Sequence, residues 1–200
     1  MIDSDDTTQP PARPTAKVRI LDALKRAERA VFTRPAPKSP RAKMKFLLTR
    51  SKGSTKAVAE DLGVSRSTVE RYLSGASKRP QKRLQEALTE ATEEQWQPQV
   101  RAQARQHAAT SGGLVISCRA YFGFTADGTS DEGRVKDIIT AVSPAQAAQI
   151  LKLKEAGATD EDLQPLLAEA ITYSYFQEGG TKRKGLRADF TDVEWLNISF

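Results

Sequence analysis

Thr55-Lys-Ala-Val-Ala-Glu-Asp-Leu-Gly-Val-Ser-Arg-Ser-Thr-Val-Glu-Arg-Tyr-Leu-Ser74 reads as two short helices that cross around a tight turn. Helices that cross closely need a small residue where they touch, and Ala59 supplies it. The turn needs a residue that tolerates positive φ, and Gly63 supplies that. Val58, Leu62, Val64, Val69 and Tyr72 fall where side chains must face a shared core. Ser65 stands at the N-cap of the second helix, a contribution of about 1 kcal/mol. Alanine, glycine and valine at spacings of four and six, with matching apolar positions, are the pattern of a helix-turn-helix.

Such a motif places the N-terminal end of its second helix in the major groove of DNA. Arg66, Ser67, Glu70 and Arg71 then project outward. Arginines at 66 and 71 can pair with guanine edges, and Ser67 and Thr68 can reach base edges or phosphates. Glu70 can accept from cytosine, or pair with Arg66 or Arg71 at the surface. Lys78, Arg79, Lys82 and Arg83 follow as a basic cluster suited to phosphate. The competing reading is a helical hairpin with no nucleic-acid role.

The charge distribution favours the DNA reading. The chain has 200 residues and a net charge of +6. Residues 13–83 hold 20 Lys/Arg against 5 Asp/Glu, whereas residues 109–200 hold 9 against 13. A basic half joined to a mildly acidic half suggests a polyanion-binding module plus a second module. Hydrophobic residues make up 38% of the chain, enough for a modest core. Cys118 is the single cysteine and His107 the single histidine, so neither an intrachain disulfide nor a zinc site has its ligands. No apolar run approaches the roughly 20 residues of a membrane span. The acidic, polar start does not read as a secretory signal. These features predict a cytoplasmic protein associated with DNA and no membrane.

Outward from the motif, residues 1–16 carry Pro10, Pro11 and Pro14 among polar residues and read as a disordered tail. Residues 17–41 read as a helix followed by a proline-rich basic linker. Ile20, Leu24, Ala27 and Val31 lie at helical spacing. Arg34, Lys38 and Arg41 lie along phosphates, or the stretch is a plain spacer. Residues 42–111 form the helix-turn-helix domain, with helices at 42–50, 81–95 and 99–109 around the motif and a break near Trp96-Gln97-Pro98. Gly112-Gly113 marks a boundary.

Residues 112–200 change character. Leu114 to Phe122 is rich in strand formers, with Ile116, Cys118, Ala120 and Phe122 on one face. A polar loop is expected from Thr125 to Gly133, then a second strand from Arg134 to Val142. Helices are expected over 145–156, capped by Gly157, and after Thr159, with Pro165 disturbing its first turns. Residues 186–200 alternate loosely and end strand-like. The order strand, strand, helix, helix, strand predicts a small α+β domain, giving an α+β chain with a helical N-terminal half.

Several segments, taken in order, carry a resemblance. They are Phe32-Thr-Arg-Pro-Ala-Pro-Lys-Ser39, Gly63-Val-Ser-Arg-Ser-Thr-Val-Glu-Arg-Tyr72, Trp96-Gln-Pro-Gln-Val-Arg-Ala102, Thr110-Ser-Gly-Gly113, Arg119-Ala-Tyr-Phe-Gly123, Tyr175-Phe-Gln-Glu-Gly-Gly180 and Phe190-Thr-Asp-Val-Glu194. Together they resemble the telomere-protecting terminal proteins of linear actinomycete chromosomes and plasmids, from about Ala30 to Phe200. The resemblance implies covalent attachment to the 5′ end of linear DNA. A side-chain hydroxyl would attack the α-phosphate of the first deoxynucleotide, deoxycytidine by family expectation, and a DNA polymerase would extend it. It also implies a telomere-associated protein that recruits the chain to single-stranded overhangs.

By that resemblance the priming hydroxyl falls in Thr125-Ala-Asp-Gly-Thr-Ser-Asp-Glu-Gly133, with Thr129 or Ser130 preferred to Thr125, and Thr110 and Ser111 as outsiders. On the residues alone, the stretch is an ordinary polar turn. Asp127, Asp131, Glu132 and Asp137 are acidic enough to hold Mg²⁺. The metal is instead expected to come with the polymerase, as is the deoxynucleoside triphosphate, leaving the chain no cofactor of its own. Lys182-Arg183-Lys184 either binds phosphate or is a solvated hairpin. His107 reads as a helix-surface residue and Cys118 as core. The chain is thus expected to be a substrate of nucleotidyl transfer, not an enzyme. The alternative is a transcriptional regulator whose C-terminal half dimerises or senses a ligand.

Overall fold

A computed structural model of the chain describes residues 19–126, 129–179 and 186–200, and only the backbone at 124–126 and 129–132. The expected disordered tail and the basic triplet 182–184 lie outside the described residues. The fold is α+β: eight α-helices, mostly N-terminal, and a three-stranded antiparallel sheet among the described residues. None of its helices is long and apolar enough to cross a membrane, among the described residues.

Two compact units divide the chain: Glu28–Ala104, and Met1–Ala27 with Arg105–Phe200. The boundaries fall inside α1 (Ile20–Ala30) and α6 (Pro98–His107), not at Pro-rich residues or at Gly112-Gly113. The stripe Ile20, Ala23, Leu24 and Ala27 of α1 is fully or almost fully buried in the same core as the sheet. The first helix is therefore part of the C-terminal unit and no appendage to a linker. An apolar stripe must be covered, and its cover here comes from residues some hundred positions later.

In that unit, β1 (Leu114–Ala126) is the central strand, between β2 (Thr129–Val142) and β3 (Arg187–Ser199). Leu114, Ile116, Cys118, Ala120 and Phe122 alternate into the core, opposite Val142, Thr140 and Ile138 of β2. On either side of residues 127–128, the stretch expected as a loop over 125–133 is ladder: Thr125 pairs with Ser130 and Ala126 with Thr129. Pairing with β1 overrides the polar, strand-averse composition there. The loose alternation of the last strand has a local cause. The register of β3 slips between Arg119↔Trp195 and Tyr121↔Thr191, and Asp192 adopts a φ of 46° in the slipped stretch.

Helices α7 (Pro144–Glu155) and α8 (Asp160–Ile171) bury Ile150, Leu151, Leu163, Leu167 and Ile171 against the sheet. Both begin with a capping box, Ser143 with Gln146 and Thr159 with Asp162. Gly157 takes a φ of 85° after α7. Pro165 sits inside α8, which continues through it. Gly113 is demanded by space as well as conformation. Its φ is 70°, and a Cβ there would run into the carbonyl oxygen of Val142.

The other unit is helical. Helices α2 (Pro40–Arg50), α3 (Thr55–Asp61), α4 (Arg66–Ser74) and α5 (Lys82–Gln95) enclose Met44, Leu47, Val58, Ala59, Leu62, Val69, Tyr72 and Leu88. Pro40 begins α2 behind the Ser39 cap, because a proline at the first helical position loses no hydrogen bond. The stretch before it is anchored and not a free spacer. Trp96 Nε1 donates to the Arg34 carbonyl (3.1 Å), and the Thr33 N–H donates to Gln97 Oε1 (2.9 Å).

Candidate nucleic-acid interface

The turn between α3 and α4 is closed by two backbone hydrogen bonds. Gly63 N–H donates to Glu60 (3.1 Å) and Val64 N–H to Ala59 (2.9 Å), a Schellman motif with Gly63 at φ 64°. A Cβ at Gly63 would meet nothing within 4 Å, so the backbone conformation alone selects glycine. Ser65 accepts from the Thr68 N–H (3.2 Å) and starts α4. Gly75, left-handed at φ 88°, ends it. Arg41 Nε donates to the Leu73 carbonyl (3.0 Å) at that C-terminal end, so Arg41 is fixed by the helix rather than strung along a linker.

Arg66, Ser67, Glu70 and Arg71 are exposed on α4, and Lys78, Arg79, Lys82 and Arg83 are exposed between α4 and the first turn of α5. Arg66 and Glu70 are 4.0 Å apart, as are Lys82 and Glu86; at such exposure each pair is a weak, salt-screened contact that a phosphate or base can displace. Thr68 departs from the expectation. It is half-buried, and its hydroxyl lies 2.9 Å from Ser65 Oγ, which is also 2.9 Å from Ser67 Oγ. The hydroxyls of Ser67 and Thr68 thus share the cap network of α4.

Several cations up to residue 105 are engaged within the protein. Lys43 is buried and donates from Nζ to Thr89 Oγ1 (2.6 Å), tying α2 to α5. Arg29 and Glu93 are 2.5 Å apart, and Arg101 lies 3.6 Å from the buried Glu28. Arg105 is 3.3 Å from Glu155. The sequence could not reveal these partners, because each pair is distant along the chain.

The second candidate site is the β1–β2 turn. Thr125, Thr129 and Ser130 sit in the last ladder rungs on either side of residues 127–128, which lie outside the described residues, as does the carboxylate of Asp127. On β3, Arg187 pairs with Thr125, so Ser130, Thr125 and Arg187 occupy one level across the sheet. Gly133 lies nearby under Tyr121, whose phenol ring occupies the place of a Cβ. Asp137 is engaged with Arg119 (2.5 Å), which also reaches Glu194 (2.9 Å).

Two isolated residues resolve differently. Ser111 Oγ lies 3.0 Å from His107 Nδ1, a partner one helical turn away that the sequence reading did not assign. Cys118 is fully buried; burial, and then the charge of Asp137, push its thiol up to about 11, which keeps it neutral and unreactive. No protein-family model, curated protein or solved structure matches the chain.

Proposed function

We propose that this protein binds DNA through α3 and α4 and serves as a covalent cap and protein primer at the 5′ ends of linear DNA. The observation that carries DNA binding is the geometry of α4. Its N-terminus is fixed by the Ser65 cap and the Gly63 turn, its outer row is Arg66, Ser67, Glu70 and Arg71, and four cations follow it. The priming role rests on the resemblance, and is supported by three hydroxyl residues gathered at the end of one hairpin.

In priming, one hydroxyl oxygen of the hairpin attacks the α-phosphate of a deoxynucleoside triphosphate. A phosphodiester to the protein forms, pyrophosphate leaves, and the hydroxyl proton passes to solvent or to a base in the polymerase. The polymerase supplies Mg²⁺ and the nucleotide. The basic unit holds the DNA end nearby, raising its effective concentration at the hydroxyl. A telomere-associated protein delivers the chain to its overhang.

A second reading, a transcriptional regulator with a sensing unit, is favoured by one feature. An open cavity of about 600 Å³ is lined by residues that include Gln146, Glu169, Tyr173, Gln177, Arg187 and Asp189. The two readings separate in one experiment. DNA ends extracted from the host under denaturing, protease-free conditions should carry this polypeptide; ends that are free of protein overturn the primer reading.

A further inference from the structure

Strands β2 and β3 are the two edges of the sheet, and they differ. On β3, the carbonyls of Phe190 and Leu196 accept hydrogen bonds from Gln164 Nε2 of α8 (2.6 Å) and from the Arg26 guanidinium of α1 (2.8 Å). Helical side chains thus cover that edge, a usual way to keep an edge from pairing. The outer side of β2 has no strand partner among the described residues. Its last five residues, Ile138-Ile139-Thr140-Ala141-Val142, contain no charge, proline or glycine. Ile139 is 74% exposed, and Val135 and the neighbouring Val115 are also exposed. The first nine residues of β2 carry five charges, Asp131, Glu132, Arg134, Lys136 and Asp137, which guard that part of the edge, so the five-residue end is what remains as a template for another strand.

We infer that β2 is the pairing edge for a second copy of this chain, joining two sheets into one of six strands. The register supports a self-partner. A two-fold antiparallel pairing centred on Ile139 sets Ile139 against its own copy, Ile138 against Thr140, Asp137 against Ala141 and Lys136 against Val142. No like charges then lie opposite one another. Centring on Arg134 or Asp137 would oppose identical charges, so like-charge repulsion moves the pairing to the apolar end. Such a pair also carries two helix-turn-helix units, the usual arrangement for reading two half-sites. The association is independent of whether a hydroxyl primes DNA synthesis. A seven-residue pairing falls short of the roughly 800 Å² per partner of a stable interface, so the dimer is expected to be weak and concentration-dependent.

The test is sedimentation equilibrium of the full chain from about 1 to about 100 µM, across the range expected for a weak interface. The wild type should pass from 22.0 kDa toward twice that mass. Ile139→Lys, at an exposed position, should keep the wild-type melting temperature and weaken association at least about tenfold. Trp195→Ala, on the other edge strand, should leave it unchanged. A wild type that stays monomeric throughout overturns the proposal. So does Ile139→Lys with undiminished association, or a Trp195→Ala variant that no longer associates, since the latter would place the contact on the open sheet face.

Discussion

Val64 donates its backbone N–H to the carbonyl of Ala59 at 2.9 Å, across a glycine held at φ 64°. That bond sets the angle at which α4 leaves α3, and a residue at position 63 must accept the left-handed conformation to keep it. Gly63→Val should therefore cost the helical unit roughly 1–2 kcal/mol or more, because a β-branched side chain resists positive φ. DNA affinity should fall while the C-terminal unit keeps its own transition. The check is a thermal scan with a separate signal from each unit. A loss of both units together would contradict the division at Ala27 and Arg105.

The exposed cations make a second expectation quantitative. Six or so phosphate contacts give a log–log salt slope of about −5. Lys82→Ala or Arg83→Ala should weaken binding to all DNA alike. Arg66→Ala or Arg71→Ala should instead blur sequence preference, by about 1–3 kcal/mol per lost pairing. Titrations at several salt concentrations, on a specific and a scrambled duplex, separate the two classes. Salt-independent affinity would rule out the phosphate-contact reading.

The motif was legible because everything that shapes it is local. Ala59, Gly63 and Ser65 act within twenty residues, and so do the caps at Ser143 and Thr159. What the sequence hid was long-range. Nothing near Ile20 or Leu24 tells that their cover is the C-terminal sheet. Nothing near Lys43 tells that its ammonium turns inward to Thr89. The polar stretch 125–133 has the composition of a loop, and only pairing makes residues 125–126 and 129–133 of it strand. The same limit applies to the slip near Asp192, where an alternating pattern changes phase without a glycine or proline to announce it.

Asp162 gives a pH expectation. Hydrogen bonds from the backbone and then the side chain of Thr159 hold its carboxyl below the usual range. A depressed folded-state pKa contributes stability above the unfolded value, about 3.9 for aspartate. That contribution is lost as pH falls through the folded value. Asp162→Asn should therefore lower stability from neutrality down to about pH 4, and the two curves should converge as pH falls further and the wild-type carboxyl is protonated, so the variant's acid limb is flatter. Melting temperatures of both proteins across that range provide the check; parallel curves would remove Asp162 from the account of the helix start.

The last prediction concerns the hairpin. Incubation with labelled deoxycytidine triphosphate, Mg²⁺, polymerase and a telomeric overhang should leave label on the protein after denaturing electrophoresis. Thr129 and Ser130 stand at successive rungs, paired with Ala126 and Thr125. A hydroxyl in a paired strand approaches an α-phosphate in line only if the end of the ladder opens or the polymerase receives the hairpin end-on. Rungs next to the turn open most easily, since the ladder supports them on one side only. Opening of the last rung frees Thr129, and opening of the next frees Ser130 and Thr125 together. The preference for Thr129 and Ser130 comes from the resemblance, and they should be changed singly and together, because either can stand in for the other. The double substitution to alanine should abolish labelling while DNA binding persists. If it still takes label, Thr125 is next, then Thr110 and Ser111; Thr110 Oγ1 already donates to the Gln106 carbonyl at 2.8 Å and would have to give up that bond to react. A wild type that binds DNA but never takes label would transfer the molecule to the regulator reading, where the cavity beside Arg187 becomes the site to probe.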